Sequence, residues 1–339
     1  MSASTRITFE AGPTHSGIEE ALNLVRVAEK ADADAIKFQY LDADRLVADR
    51  EKRIDFKVWE NGSLVHRVDS LHRILKRREL AREDWVNLHQ AAKDAGLDFY
   101  CTASYADEFE WLMYGLEVDG VKVASADIDN LPLLHWLHHN TPERVEIQID
   151  TGSANIWEVD RAVDILGDPL VHHVPSGYPA HLPSIHLRVI STLKMMYPEL
   201  EIGFSDHSPG WEMDIAAVTL GADLVEKTIT FDRRRQEIEH CFSLEPEEAK
   251  EFVQKIRELE VALGSTRRTI PSLVLDSRKG FRRSVYLTKP LKEGEEIRAE
   301  HLELRRPGYN GVPPEALHIV KGRTAKRPLA VGPLRWSDV

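Results

Sequence analysis

Three lysines interrupt stretches of sequence that are otherwise largely apolar: Lys37 in AIKFQ, Lys122 in GVKVAS and Lys227 in LVEKTIT. An ammonium group taken out of water needs an anionic partner, so lysines inside strands call for an explanation. The chain is acidic overall, which makes positive charge gathered in its interior suited to a multiply charged phosphate or carboxylate ligand. Internal pairing with Glu10, Asp127 and Glu226 in a structural network is the competing account. A Schiff-base nucleophile is a third. Other polar residues sit at the ends of similar runs: Gln39, Thr102, Ser125, Asp150, His173, Ser176, Tyr178 and Ser205. In FSDHSPGW, His207 has the chemistry of a metal ligand or an acid–base group, since neutral imidazole serves either role. The adjacent His172 and His173 alternate by strand periodicity, so only one of the two faces a given side of a sheet.

The elements that position these groups are legible in the alternation of patterns. Candidate strands fall at 7–12, 35–40, 98–103, 120–125, 145–150, 170–176, 201–207 and 224–230, with helical spacing between them, such as Ile18, Leu22, Val25 and Ala28. The last helix opens with Pro246, carries a stripe of Phe252, Ile256, Leu259 and Leu263, and stops at Gly264. Eight strands, each followed by a helix, give the arithmetic of a (β/α)8 TIM barrel over 1–264, whose reacting groups project from the C-terminal strand ends. An open doubly wound sheet is the runner-up, weakened by the lack of GxGxxG after the first strand. Residues 41–67 exceed a plain loop and read as a solvated insertion or a lid. Residues 265–280 read as a linker. In 281–339, KPLKEGEEIRAEHL is echoed by RPLAVGPLRWSDV, which predicts a small pseudo-symmetric β-rich domain.

Composition narrows the function classes. Over 339 residues, 44 Lys+Arg against 56 Asp+Glu leave a net charge of −12, the wrong sign for a general nucleic-acid binder. No stretch of 18 uncharged apolar residues predicts a membrane span. Two cysteines, Cys101 and Cys241, are too few for a disulfide framework or a cysteine metal cluster. With no secretion-signal pattern at the start, a cytoplasmic location is expected.

The ordered motifs EAGPTHSG (10–17), ADAIKFQ (33–39), VKVASADIDN (121–130), PSGYP (175–179), GFSDHSPG (203–210), LGADLVEKTIT (220–230) and EHCFSLEP (239–246) resemble the N-acetylneuraminate synthase family. RRSVYLTKPLKEGEEI and LRRPGYNGVPP resemble its C-terminal antifreeze-like (SAF) domain. The resemblance implies condensation of phosphoenolpyruvate with an acylated amino-hexose, giving a nine-carbon 3-deoxy-2-keto acid and phosphate, with a divalent metal (Mn2+ or Mg2+) as Lewis acid. It implies that Lys37, Thr102, Lys122, Ser125, Ser176 and Ser205 bind phosphoenolpyruvate. Gln39, Tyr178, Glu239 and Arg306 would face the sugar, and Glu10, Asp127 and His207 would serve catalysis. It also implies a domain-swapped homodimer in which Arg306 reaches the partner's barrel.

The departures are as informative. Thr228 stands where the family has a second metal-ligating histidine, and a threonine hydroxyl is a poor substitute for imidazole. Three outcomes follow: a metal held by His207 with carboxylates or His240, metal-independent catalysis, or loss of condensation. Asp150 replaces a serine near the expected anion, Asp127 a glutamate, Thr14 an asparagine and Val174 a cysteine. The alternatives are a Schiff-base aldolase on the same barrel and a catalytically inactive sugar-binding homologue.

Overall fold

Side chains that alternate along each strand between apolar and polar require a sheet with two different faces, and here the sheet closes on itself. The computed structural model describes residues 4–175, 177–308 and 311–339, apart from the Lys279 side chain. Strands β1 (Arg6–Glu10), β2 (Ala35–Gln39), β5 (Asp98–Ala103), β6 (Gly120–Val123), β7 (Glu146–Asp150), β8 (Leu170–His173), β9 (Ile202–Asp206) and β10 (Leu224–Thr228) form a closed barrel in the order β1-β10-β9-β8-β7-β6-β5-β2. Every adjacent pair is parallel, and β1 pairs with both β10 and β2. Closure rules out the open doubly wound sheet.

The alternation explains both layers. Outward residues Ile7, Phe9, Ile36, Phe38, Phe99, Val121 and Ile202 are fully buried beneath the helices. Helix α1 (Ile18–Ala31) buries Leu24, Val25 and Ala28 there. The helix Pro246–Leu263 buries Phe252 and Ile256, with the Phe252 ring centroid 6.0 Å from that of Phe9. Its stripe fades toward the end, where Leu263 is 48% exposed. Inside the barrel an apolar group of Ala35, Tyr100, Leu170 and Leu224 forms one layer. The inward positions two residues further along these strands are Lys37, Thr102, His172 and Glu226, so the interior changes from apolar to ionic toward the C-terminal ends. Gly203 is required at this level: a Cβ there would lie 2.6 Å from His172 Nδ1.

The insertion at 41–67 is ordered. Helix α2 (Ala43–Leu46) is followed by an antiparallel hairpin of β3 (Arg53–Glu60) and β4 (Ser63–Ser70), then α3 (Leu71–Lys76) and α4 (Arg82–Asp94). Asn61 and Gly62, both at positive φ (51° and 80°), make the tight turn. One hairpin face is buried through Phe56 and Val58 against Ile74, with Ile238 packed alongside. Trp59 Nε1 donates to Cys241 O at 2.8 Å, so the hairpin braces the loop that follows β10.

The chain divides into compact units 1–264 and 265–339. The second unit opens with a turn at Ser272–Val274 and a helix at Leu275–Phe281. It contains a three-stranded sheet of β11 (Ser284–Leu287), β12 (Leu302–Arg305) and β13 (Gly332–Pro333) in the order β12-β11-β13. Its own core includes Val285, Ile297, Val312, Val320 and Leu334. The echoed segments meet each other: Leu291 N donates to Leu329 O at 2.9 Å and Leu329 N to Leu291 O at 2.8 Å. Among the described residues, no helix is long and apolar enough to cross a membrane.

Candidate active site

Parity and register select the groups that meet. Glu10 pairs with Lys37 across β1 and β2 and with Thr228 across β1 and β10, while Glu226 pairs with Ser205 across β10 and β9. These side chains share the inner face, at the C-terminal end of the barrel.

The inner lysines form a carboxylate-bridged cluster. Glu226 Oε1 accepts from Lys37 Nζ at 2.9 Å and from Ser205 Oγ at 2.9 Å, and its Oε2 accepts from Lys122 Nζ at 2.8 Å. Glu10 Oε2 lies 2.6 Å from Lys37, and Asp150 Oδ1 lies 2.8 Å from Lys122 without hydrogen-bond alignment. Two ammonium groups thus face three carboxylates, and a surplus of positive charge does not form in the interior. This corrects the expectation from sequence, in which Asp127 rather than Asp150 joined the acids. The physical cause is Asp150 at the end of β7, which brings a second acid to Lys122 and a third to the cluster.

Counting donors separates the three lysines. An ammonium group has three. Lys227 bonds Asp206 and the Ser208 carbonyl (2.6 Å) and lies 3.4 Å from Asp214, all fully or almost fully buried. It is the neighbour of an inward residue, so it points out between strand and helix, where three acceptors face its three donors. Lys37 and Lys122 each meet only two carboxylates among the described residues, which leaves each one donor for a ligand. Although burial opposes it, the charges of Glu10 and Glu226 hold Lys37 well above the usual lysine pKa. A Schiff-base nucleophile needs a neutral amine, so this geometry does not favour the aldolase reading for Lys37.

Other predicted groups surround the cluster. Glu10 Oε1 accepts from Gly12 N at 2.7 Å, and Gln39 Nε2 lies 3.4 Å from Glu10 Oε2. Thr102 is half-buried on the inner face of β5. Ser125 and Asp127 occupy the turn after β6, where Ser125 Oγ accepts from Ser153 Oγ at 3.1 Å. Burial raises the Asp127 carboxyl against a hydrogen bond from Ser104. Tyr178 is exposed, its ring centroid 4.6 Å from that of His207. Glu239 sits in the left-handed region (φ 75°), and burial pushes its carboxyl up to about 7. Arg306, just after β12, is an exposed residue of the second unit. Ser176 lies outside the described residues.

Of the two histidines on β8, the inward one is His172, whose Nε2 lies 3.0 Å from Gln148 Oε1. His173 stacks on Phe204 and meets Ile185 O at 2.6 Å, so it belongs to the outer layer and not to the site. Thr14 Oγ1 donates to Ile229 O at 2.7 Å and ties the loop after β1 to the end of β10.

The residues present do not build the divalent-metal site that the resemblance implies. His207 offers a buried, unbonded Nδ1, and burial lowers its pKa to about 4, leaving it neutral. The position one residue past the Lys227–Asp206 register pair is Thr228, not a second imidazole. His240 Nδ1 meets Thr230 Oγ1 at 2.7 Å, while its Nε2 lies 3.3 Å from Glu237 without a hydrogen bond. Among the described residues no three His, Cys, Asp or Glu side chains gather to hold an ion.

The Asn61–Gly62 turn was a readable signal for the hairpin that braces the site. The burial of Arg78 in the KRRE run at 76–79 left no mark in the sequence, and the closeness of Lys122 to Asp150 depends on strand register.

Comparisons with known proteins agree with this architecture. The chain is 33% identical to an N,N'-diacetyllegionaminic acid synthase from Legionella pneumophila, over 98% of this chain and 94% of that protein. A sialic acid synthetase structure from Leptospira borgpetersenii superposes with a TM-score of 0.70 at 27% identity, covering 81% of this chain and 90% of that one. The spore coat polysaccharide biosynthesis protein SpsE of Bacillus subtilis superposes with a TM-score of 0.63 at 29% identity, covering 100% and 96%. The NeuB family model matches residues 24–268 and the SAF domain model residues 282–339: the chain belongs to the NeuB family and ends in a SAF domain.

Proposed function

We propose that this protein condenses phosphoenolpyruvate with the open-chain aldehyde of an acylated amino-hexose, releasing phosphate and a nine-carbon 3-deoxy-2-keto sugar acid. The observation that carries the reading is the contrast between Lys227, which has three acceptors for its three donors, and Lys37 and Lys122, which have two carboxylates each. Those two lysines, with Ser125, Ser176, Ser205 and Thr102, bind the phosphoenolpyruvate anion by charge-assisted hydrogen bonds. C3 attacks the aldehyde carbon, a C–C bond forms, and water fills C2. Of the two protons the water gives up, one ends on the new hydroxyl and the other on phosphate when the C2–O bond breaks. Glu10, a carboxylate aimed at the cluster, relays a proton, while Gln39, Asp127, Tyr178 and Glu239 orient the sugar. Arg306 completes the sugar site from a partner subunit in a homodimer.

The test is phosphate release from the purified protein. Release is expected only when phosphoenolpyruvate and an acylamino-hexose are both present. Release from phosphoenolpyruvate alone, or borohydride trapping of a pyruvoyl adduct on Lys37 or Lys122, would sink the reading.

Asp150 competes with the substrate for Lys122. Burial and the charge of Glu226 raise its carboxyl, while Lys122 and Lys37 oppose this. Phosphoenolpyruvate therefore binds with proton uptake at Asp150, and affinity rises as pH falls. Asp150→Ser is expected to tighten binding by about tenfold at pH 8, and by less at pH 6, because the carboxylate removed is more fully charged at the higher pH. Calorimetry at the two pH values checks this. Equal or weaker binding by the variant at pH 8 would refute it.

At the end of β10 the donor set lacks its second imidazole, because Thr228 stands there. Thr228→His is expected to bring two imidazoles to neighbouring strand ends and to raise Mn2+ affinity by about tenfold or more. Unchanged Mn2+ binding by the variant would show that position 228 does not face His207.

A further inference from the structure

A second cationic group lies beside the site, in the loop between α3 and α4. Arg78 is 3% exposed, its Nε and Nη2 are sealed from solvent, and none of its side-chain nitrogens donates a hydrogen bond among the described residues. No carboxylate oxygen there lies within 4.0 Å of it. Its neighbour Arg77 pairs through Nη1 with Glu237 at 2.8 Å, yet leaves Nε and Nη2 unbonded. His15, 1% exposed with an unbonded Nε2, is held neutral by burial and by the Arg78 charge, its pKa lowered to about 4. Buried arginines ordinarily have their planar fork of donors filled, because an unpaired ion in a protein interior is unfavourable. A guanidinium left open in this way has the form of a receptor for an anion.

Its surroundings place it on the sugar side of the site. The charges acting on Arg78 are Glu239, Arg77, Glu10 and Glu237, and two of these belong to the proposed sugar and proton-transfer groups. Electrostatic coupling ties it to the loop after β1 through His15 and to the loop after β10 through Glu237 and Glu239. The carboxyl of Glu239, raised to about 7, is an incomplete counter-charge at neutral pH. Asp150, at the phosphoenolpyruvate end, stands on β7, three strands from β2 around the ring.

We propose that Arg78 seats an anionic group, a phosphate ester or a carboxylate, carried by the acceptor sugar. The acceptor of this synthase is then an acidic acylamino-hexose. The inference rests on the synthase reading above and adds the charge of its second substrate. Bidentate recognition of phosphate or carboxylate is the geometry that a guanidinium supplies and a lysine does not.

The experiment measures phosphate release with phosphoenolpyruvate and three acceptors: an N-acetylhexosamine, its 6-phosphate and the corresponding hexuronic acid. Wild-type protein is expected to favour one or both acidic sugars by about tenfold or more in kcat/KM, and the two arms tell phosphate from carboxylate. Arg78→Leu should bring that ratio to about one, and Arg78→Lys should retain part of it. Without ligand, Arg78→Leu should melt higher than wild type, because it removes a buried unpaired charge, whereas an arginine with a structural role would make it melt lower. A wild-type ratio near one, a preference that survives Arg78→Leu, or a lower melting temperature overturns the subsite while leaving the synthase reading intact. If Arg78→Leu does not fold, its role is structural and the subsite is overturned. Absence of release with every acceptor overturns both.

Discussion

Lys122→Met is expected to weaken phosphoenolpyruvate binding by roughly 100-fold, the scale of a lost charge-assisted hydrogen bond in a buried site. The same substitution is expected to destabilise the barrel by about 3–5 kcal/mol, because Glu226 and Asp150 lose the ammonium group between them. The two effects separate in a double variant. Lys122→Met with Asp150→Asn removes one stranded charge with its partner, so most of the stability should return while binding stays weak. Urea denaturation and calorimetry on both variants measure the two quantities. Phosphoenolpyruvate binding that recovers together with stability would show that Lys122 serves the fold alone. Its complete burial between Asp150 and Glu226 makes that alternative a real one.

Glu10→Gln is expected to lower kcat by about 10²–10⁴-fold, the usual cost of losing a positioned acid–base group. The amide keeps the shape and can still accept from Gly12 N, so the loop after β1 should hold. It releases Lys37 from one of its two carboxylates, so phosphoenolpyruvate affinity should hold or improve. A low kcat with undiminished affinity is the signature of proton transfer. A variant with kcat within about fivefold of wild type would assign Glu10 to holding Lys37 in place.

Much of the fold was legible because its signals are local. Each of the eight barrel strands was marked by a short apolar run, and the final helix by Pro246 at its start and Gly264 at its stop. The insertion was legible only in part: Asn61–Gly62 marks its hairpin turn, but its buried face depends on Ile74 and Ile238 from elsewhere in the chain. The second unit is a partial case: the repeat between 289–302 and 327–339 was visible, but not that Leu291 and Leu329 bond to each other.

The sequence by itself determined which side chains share the inner face, since a period of two sends Glu10, Lys37, Lys122, Asp150 and Glu226 one way and Lys227 the other. Only the tertiary structure decided which charges cancel. Parity fixes direction but not distance: the register of β6 on β7 put Asp150 against Lys122, and closure of the barrel hung both inner lysines on Glu226. The same holds for Arg78, which lies in a basic run and is nevertheless buried. Electrostatic energy depends on separation and burial, and neither is written in the order of the residues.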